Sequence, residues 1–212
     1  MERKRDGRRE PRASVPKRVP KLGYYFIVTD TEETEKNYLY GLRDSLPENL
    51  RNHIVIKVSQ ARTDKLIESC EQASIDPQYR QCWVVFDRDQ VKDFDRIVAE
   101  AKRKGIKVGW SNPCIEIWFD AYFGKMPNVQ DSVHCCQGFC QRFQEKTGHK
   151  YKKSDPDLYR KLTEAGDEAE AIQLAQRQLE QYCREGEKIP SKMCPCTTLH
   201  HLVDEIRRKD IT

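Results

Sequence analysis

Two hydrophobic periods alternate along the first half of the chain. Apolar-rich runs at 24–28, 53–58 and 82–86 have the length and the aromatic and β-branched content of buried strands. Between them the spacing turns helical. Tyr38, Leu39, Leu42 and Leu46 share one face, Leu66, Ile67 and Cys70 one face of a helix over 64–73, and Phe94, Ile97, Val98 and Ala101 the inner face of a helix over 93–104. A short fourth strand is predicted at 105–110. Strands alternating with helices predict an α/β fold, a parallel sheet of about four strands covered by helices. From about residue 114 the strand pattern stops, and the rest reads as helices broken near Pro127, Gly148, Pro156, Gly166 and Pro190. The expected organisation is a tail over 1–21, an α/β core over 22–124 and a helical C-terminal elaboration packed on it over 125–212.

The ends of the apolar runs carry the chemistry. The third run continues Trp83-Val84-Val85-Phe86-Asp87-Arg88-Asp89. Open α/β sheets keep ligands at the carboxyl ends of their strands. Strand alternation sends residues i and i+2 to one side, so Asp87 and Asp89 are candidates to converge on a hard cation such as Mg²⁺. Alone, Asp-Arg-Asp is also the composition of a solvated turn. A second acidic cluster, Asp30-Thr31-Glu32-Glu33-Thr34-Glu35, follows the first run. Its glutamates also suit the first turn of a helix, where the dipole favours negative charge. If the two strands are neighbours, however, their crowded carboxylates need a cation. After the fourth strand comes Ser111-Asn112-Pro113-Cys114-Ile115-Glu116-Ile117-Trp118. With Pro113 at the first helical position, Asn112 is the expected N-cap and Glu116 lies one turn in. By spacing alone, Glu116 is either a site residue or a surface glutamate.

Composition narrows the classes. A chain of 212 residues, 37% apolar, can bury one substantial core. It has no apolar run of ~18 residues or more and no signal-peptide pattern, so the expectation is a cytoplasmic protein with no membrane partner. The odd count of nine cysteines argues against a closed disulfide framework. Cys70, Cys82, Cys114, Cys135, Cys136, Cys140 and Cys183 are expected to be reduced thiols in packing positions. Residues 1–21 hold nine Lys and Arg against three acidic residues, a surplus of six beside a whole-chain net charge of +4. Interrupted by Pro11, Pro16 and Pro20, this tail is expected to be flexible, either contacting phosphates or a partner or serving only solubility. Lys150, Lys152 and Lys153 around Tyr151 read as a phosphate contact or as a solvated basic turn. Cys194 and Cys196 with His200 and His201 can be drawn as a zinc site, though their spacing fits no common finger, and His134, Cys135, Cys136 and Cys140 fit less well.

Together the three acidic segments resemble the RloB-like family, a branch of the Toprim nucleases of bacterial and archaeal defence loci. Its motifs look like Glu-Gly-Glu-x-Thr-Glu-x-x-Tyr, apolar-Phe-Asp-Arg-Asp and Ser-Asn-Pro-Cys-Phe-Glu-x-Trp. Residues 86–89 and 111–118 match the second and third closely, and the likeness runs over about 22–124, with an echo at 195–203. The first motif departs: Asp30 and Thr31 stand where the family has Glu-Gly, while Glu32, Thr34, Glu35 and Tyr38 keep their places.

The resemblance implies a Toprim-like fold and a Mg²⁺- or Mn²⁺-dependent endonuclease, a hydrolase of DNA or RNA with tRNA among its candidate substrates. Asp87 and Asp89 would hold the ion, and Asp30 a second ion or a proton in transit. Glu35 and Glu116 would complete the catalytic set, with Glu32 and Asn112 supporting. No tyrosine is marked as a nucleophile, so metal-activated water is expected. The resemblance further implies an antiviral, anti-phage effector working with an ATPase partner, since no Gly-x-x-x-x-Gly-Lys-Ser/Thr occurs here. Homo-oligomer formation stays open. Aspartate is one methylene shorter than glutamate, which moves its carboxylate by about 1 Å or more. A catalytically impaired nucleic-acid-binding or regulatory module is therefore the alternative.

Overall fold

Strand β1 (Tyr24–Thr29) is an inner strand of a five-stranded sheet, and both of its faces are apolar. Tyr25 and Ile27 point to one side and Phe26 and Val28 to the other, and all four are buried. The structure, a computed structural model, describes residues 24–29, 31, 33–59, 63–74, 79–89 and 91–210. The basic tail at 1–21 lies outside them, as do Asp30 and Glu32.

After β1 come α1 (Thr34–Asp44), the short α2 (Glu48–Arg51), β2 (Ile54–Val58), α3 (Thr63–Ser74), β3 (Tyr79–Asp87), α4 (Phe94–Arg103) and β4 (Lys107–Asn112). The C-terminal half adds α5 (Glu116–Tyr122), α6 (Ser132–Thr147), α7 (Leu158–Ala165), α8 (Glu168–Arg184), β5 (Cys196–Thr197) and α9 (Leu199–Asp210). The sheet order is β2-β1-β3-β4-β5. β1 to β4 run parallel, and β5 is antiparallel to β4. The expected α/β class stands, in an arrangement consistent with the Toprim-like fold.

Helices cover both faces of the sheet. On one, Tyr25, Ile27, Trp83 and Val85 pack with Tyr38 and Leu42 of α1, Trp118 and Phe119 of α5, and Leu202 and Ile206 of α9. On the other, Phe26, Val28, Val84 and Phe86 pack with Leu66 and Ile67 of α3 and Phe94 and Ile97 of α4. A fully buried side chain of this size contributes roughly 1.5–3 kcal/mol, so the layers hold firmly against the sheet. The C-terminal helices belong to the first of these cores, to which Phe139, Leu162 and Ala171 contribute. A buried network joins them: Tyr38 and Tyr122 hydroxyls lie 2.8 Å apart, and Glu168 accepts from Tyr122 and Tyr159 at 2.8 Å and from Arg207 at 2.6 Å.

Two expectations are corrected. Strand structure does not end near residue 114, because Cys196 pairs with Asn112 and Thr197 with Ser111, and Thr198 N–H extends the ladder to the Trp110 carbonyl at 2.8 Å. A strand of two residues has no periodicity to read, and its partner is more than 80 residues away in sequence. Cys140 and Cys183 are exposed rather than packed, while Cys70, Cys82, Cys114 and Cys135 are buried, and all nine cysteines are free thiols. Among the described residues, no helix is long and apolar enough to cross a membrane.

Candidate functional site

Parallel pairing of β1 with β3, Thr29 opposite Val85, brings the carboxyl ends of the two acidic strands side by side. Asp87 is the last residue of β3 and lies opposite Ser111 of β4. Its Oδ2 accepts the Ile115 N–H at 3.0 Å, tying the strand end to the turn that launches α5. Arg88 N–H donates to the Ser111 carbonyl at 2.9 Å, and the chain then leaves the sheet. Asp89 is exposed in the following turn, so strand alternation stops short of it. Both aspartates nonetheless line one cleft of about 740 Å³.

Glu35 reaches this cleft from the first turn of α1, although its residue is only 2% exposed, and its carboxylate accepts from the Thr31 hydroxyl. Cys114 and Ile115 also line it, together with Ser132 and Cys136 of α6 and Lys153. α6 is fixed at its start by Asp131, whose side chain accepts the His134 N–H at 2.9 Å, and it ends at Gly148 in the left-handed region at φ 75°. Asp120 of α5, fully buried, holds α6 by a bidentate pair with Arg142 at 2.6 and 2.5 Å. Burial raises the Asp120 pKa despite the opposing guanidinium.

The third acidic segment is built differently from its expected form. α5 begins at Glu116, with Ile115 at the capping position and no side-chain cap. Asn112 is therefore not an N-cap. It ends β4, and its amide donates to the carbonyls of Pro190, Ser191 and Met193 at 3.3, 3.2 and 2.9 Å, fastening the segment before β5. Glu116 is no surface glutamate either, being fully buried. Its Oε1 accepts the Tyr151 hydroxyl at 2.9 Å and stands 3.8 Å from Lys153 Nζ. Its Oε2 has no hydrogen-bond partner among the described residues.

Beside Glu116 two sulfurs face each other, Cys114 Sγ and Cys136 Sγ, 4.0 Å apart. Cys114, Glu116 and Cys136 each offer a ligand atom within 4.8 Å of the others, a cluster that could hold a metal ion. The thiol of Cys136 is pushed up by the facing Cys114 and by burial. Burial and the Glu116 charge likewise push up the Tyr151 hydroxyl. Burial opposes the Lys153 ammonium, but the negative groups around it, Glu116 foremost, raise its pKa on balance.

The cleft thus gathers Asp87, Asp89 and Glu35, with Glu116 close to its Cys114 and Cys136, while Asp30 and Glu32 lie outside the described residues. Of the basic turn, Tyr151 turns inward onto Phe139 and Phe143, and Lys153 reaches the cleft. The pair Cys114 and Cys136 was not expected as a ligand set. Cys114 and Glu116 share one motif, but Cys136 arrives from a helix by packing, which no local spacing reports. The alternative zinc drawing is not built: His200 Nδ1 lies 3.0 Å from the Thr197 carbonyl and Nε2 2.9 Å from Gln176 Oε1, so both ring nitrogens are engaged.

Fold and site together define a three-layer α/β protein with an acidic, thiol-bearing cleft at the carboxyl ends of its parallel strands. The chain belongs to the RloB-like protein family, whose family model matches residues 25–206. No curated protein and no solved structure matches it.

Proposed function

We propose that the chain is a divalent-metal-dependent nuclease that cleaves phosphodiester bonds in DNA or RNA. The observation that carries this reading is the meeting of Asp87, Asp89 and Glu35 at one open cleft, at the end of the sheet where α/β proteins keep their ligands. The donor chemistry fits Mg²⁺ or Mn²⁺, because Mg²⁺ takes one or two carboxylates and fills its remaining positions with water and substrate phosphate. Asp87 and Asp89 would hold it; bound there, the ion supplies charge neutralisation at the phosphate and a water of lowered pKa. The chain's own residues do the rest. The Ile115 N–H fixes the Asp87 carboxylate. Lys153 offers a cation on the cleft wall to a phosphate oxygen. Asp30, following the family's glutamate, would hold a second ion or steer a proton. Family resemblance supports an anti-phage effector role in the cytoplasm with an ATPase partner.

Cleavage assays on tRNA, plasmid and single-stranded DNA with Mg²⁺ or Mn²⁺, with and without an ATPase encoded nearby, test this. Cleavage that vanishes in Asp87→Ala supports the enzyme. A second reading is favoured by Asp30-Thr31 in place of Glu-Gly: a nucleic-acid-binding module without activity. Reproducible binding without cutting under every condition would establish it.

A further inference from the structure

We propose that Cys114, Cys136 and Glu116 form a binding site for a thiophilic divalent ion, Zn²⁺ by preference, separate from the hard-ion site of Asp87 and Asp89. The proposal stands whether or not the chain is a nuclease. The sulfurs are 4.0 Å apart. Two thiolates bound tetrahedrally at a Zn–S distance of about 2.3 Å stand about 3.8 Å from each other, so the pair needs almost no movement. The spacing is well beyond the ~2.05 Å of a disulfide.

Glu116 supplies the independent observation. Its side chain is fully buried, Oε2 has no hydrogen-bond partner among the described residues, and a carboxylate oxygen of Glu116 lies within 4.8 Å of both sulfurs. A buried carboxylate oxygen without a donor is costly and uncommon. A cation at this point would satisfy it. Oε1 is meanwhile held by the Tyr151 hydroxyl at 2.9 Å, the kind of outer contact that orients a ligating carboxylate. Charge also balances. Two thiolates and a carboxylate around a dication leave one negative charge, and Lys153 Nζ, 3.8 Å from Oε1, compensates it.

Three protein ligands leave a fourth position. Cys114 and Cys136 both line the cleft, so that position opens towards it, as in zinc sites that keep room for water or substrate. Softness separates the two sites: thiolates select Zn²⁺, carboxylates and water select Mg²⁺ or Mn²⁺.

The full chain, stripped with a chelator and kept reduced, is titrated with Co²⁺ and then with Zn²⁺. One equivalent of Co²⁺ is expected to produce a thiolate-to-cobalt charge-transfer band that Zn²⁺ abolishes. Cys136→Ser is expected to lose the band while its circular dichroism stays that of the wild type, and Asp87→Asn to keep it. Glu116→Gln, which keeps the Tyr151 contact and the side-chain volume, is expected to weaken Co²⁺ at least tenfold. Absence of the band from the reduced wild type would overturn the proposal. So would a band of full amplitude in folded Cys136→Ser, or its loss in Asp87→Asn.

Discussion

The Tyr151 hydroxyl donates to Glu116 Oε1 at 2.9 Å, joining the loop after α6 to the first residue of α5. Its ring is wedged against Phe139 and Phe143, so the hydroxyl is held in place by packing. In metal-free protein, Tyr151→Phe is expected to cost about 1–3 kcal/mol, because it withdraws a donor from a buried carboxylate while preserving the ring. The loss should shrink in a Glu116→Gln background, a coupling that a double-mutant cycle by urea denaturation would read. Equal losses in both backgrounds would show that the carboxylate charge adds nothing to the hydrogen bond beyond what a neutral amide oxygen accepts.

Asp87→Asn is expected to spare the fold, since an asparagine oxygen can still accept the Ile115 N–H that Asp87 Oδ2 accepts at 3.0 Å. It should lose the stabilisation that Mg²⁺ gives the wild type, about 2.7 kcal/mol at a hundredfold excess over Kd. Thermal melts with and without millimolar Mg²⁺ or Mn²⁺ check it. A wild type that gains nothing from either ion would remove the support for a hard-ion site.

Asp30 is tested through activity. If it does the work of the family's glutamate, Asp30→Glu should keep or raise the cleavage rate, and Asp30→Ala should lower it on the order of 10²–10⁴-fold, the contribution of a positioned acid or base. Rates under single-turnover conditions decide it. Asp30→Ala cutting like wild type while Glu35→Ala is inactive would place the carboxylate on α1 instead.

His200 makes stability depend on pH. Burial, with the neighbouring His201 ring, lowers its pKa from the ordinary 6.5 to about 3. The folded chain keeps it neutral, whereas the unfolded chain binds a proton below about pH 6.5. Its contribution is therefore fully present above pH 6.5 and is lost progressively as the pH falls towards 3, by on the order of 5 kcal/mol in all. His200→Asn should be less stable than wild type at pH 7, and the gap should narrow by pH 4. Denaturation curves across that range measure it, and a gap independent of pH would show that His200 does not titrate between the two states.

The strands, the helices of the first half and the acidic strand ends were legible in the sequence because each is local. An apolar run such as Trp83 to Phe86 or a helical face such as Leu66, Ile67 and Cys70 is set within a dozen residues by backbone periodicity. The role of Asn112 was read wrongly for the same reason. Next to Pro113 it looks like a cap, but its three acceptors lie about 80 residues on.

By itself the sequence determined the α/β class, the resemblance to the RloB-like family and the placing of Asp87 at the carboxyl end of a strand, since strand length, alternation and motif are properties of neighbouring residues. Only the tertiary structure decided that β5 closes the sheet edge, that Glu116 is buried under Tyr151, and that Cys136 is carried by α6 to within 4.0 Å of Cys114. Those outcomes follow from packing between distant segments, where the hydrophobic burial of Phe139 and Phe143 selects which face of α6 meets the cleft and no spacing along the chain records the result.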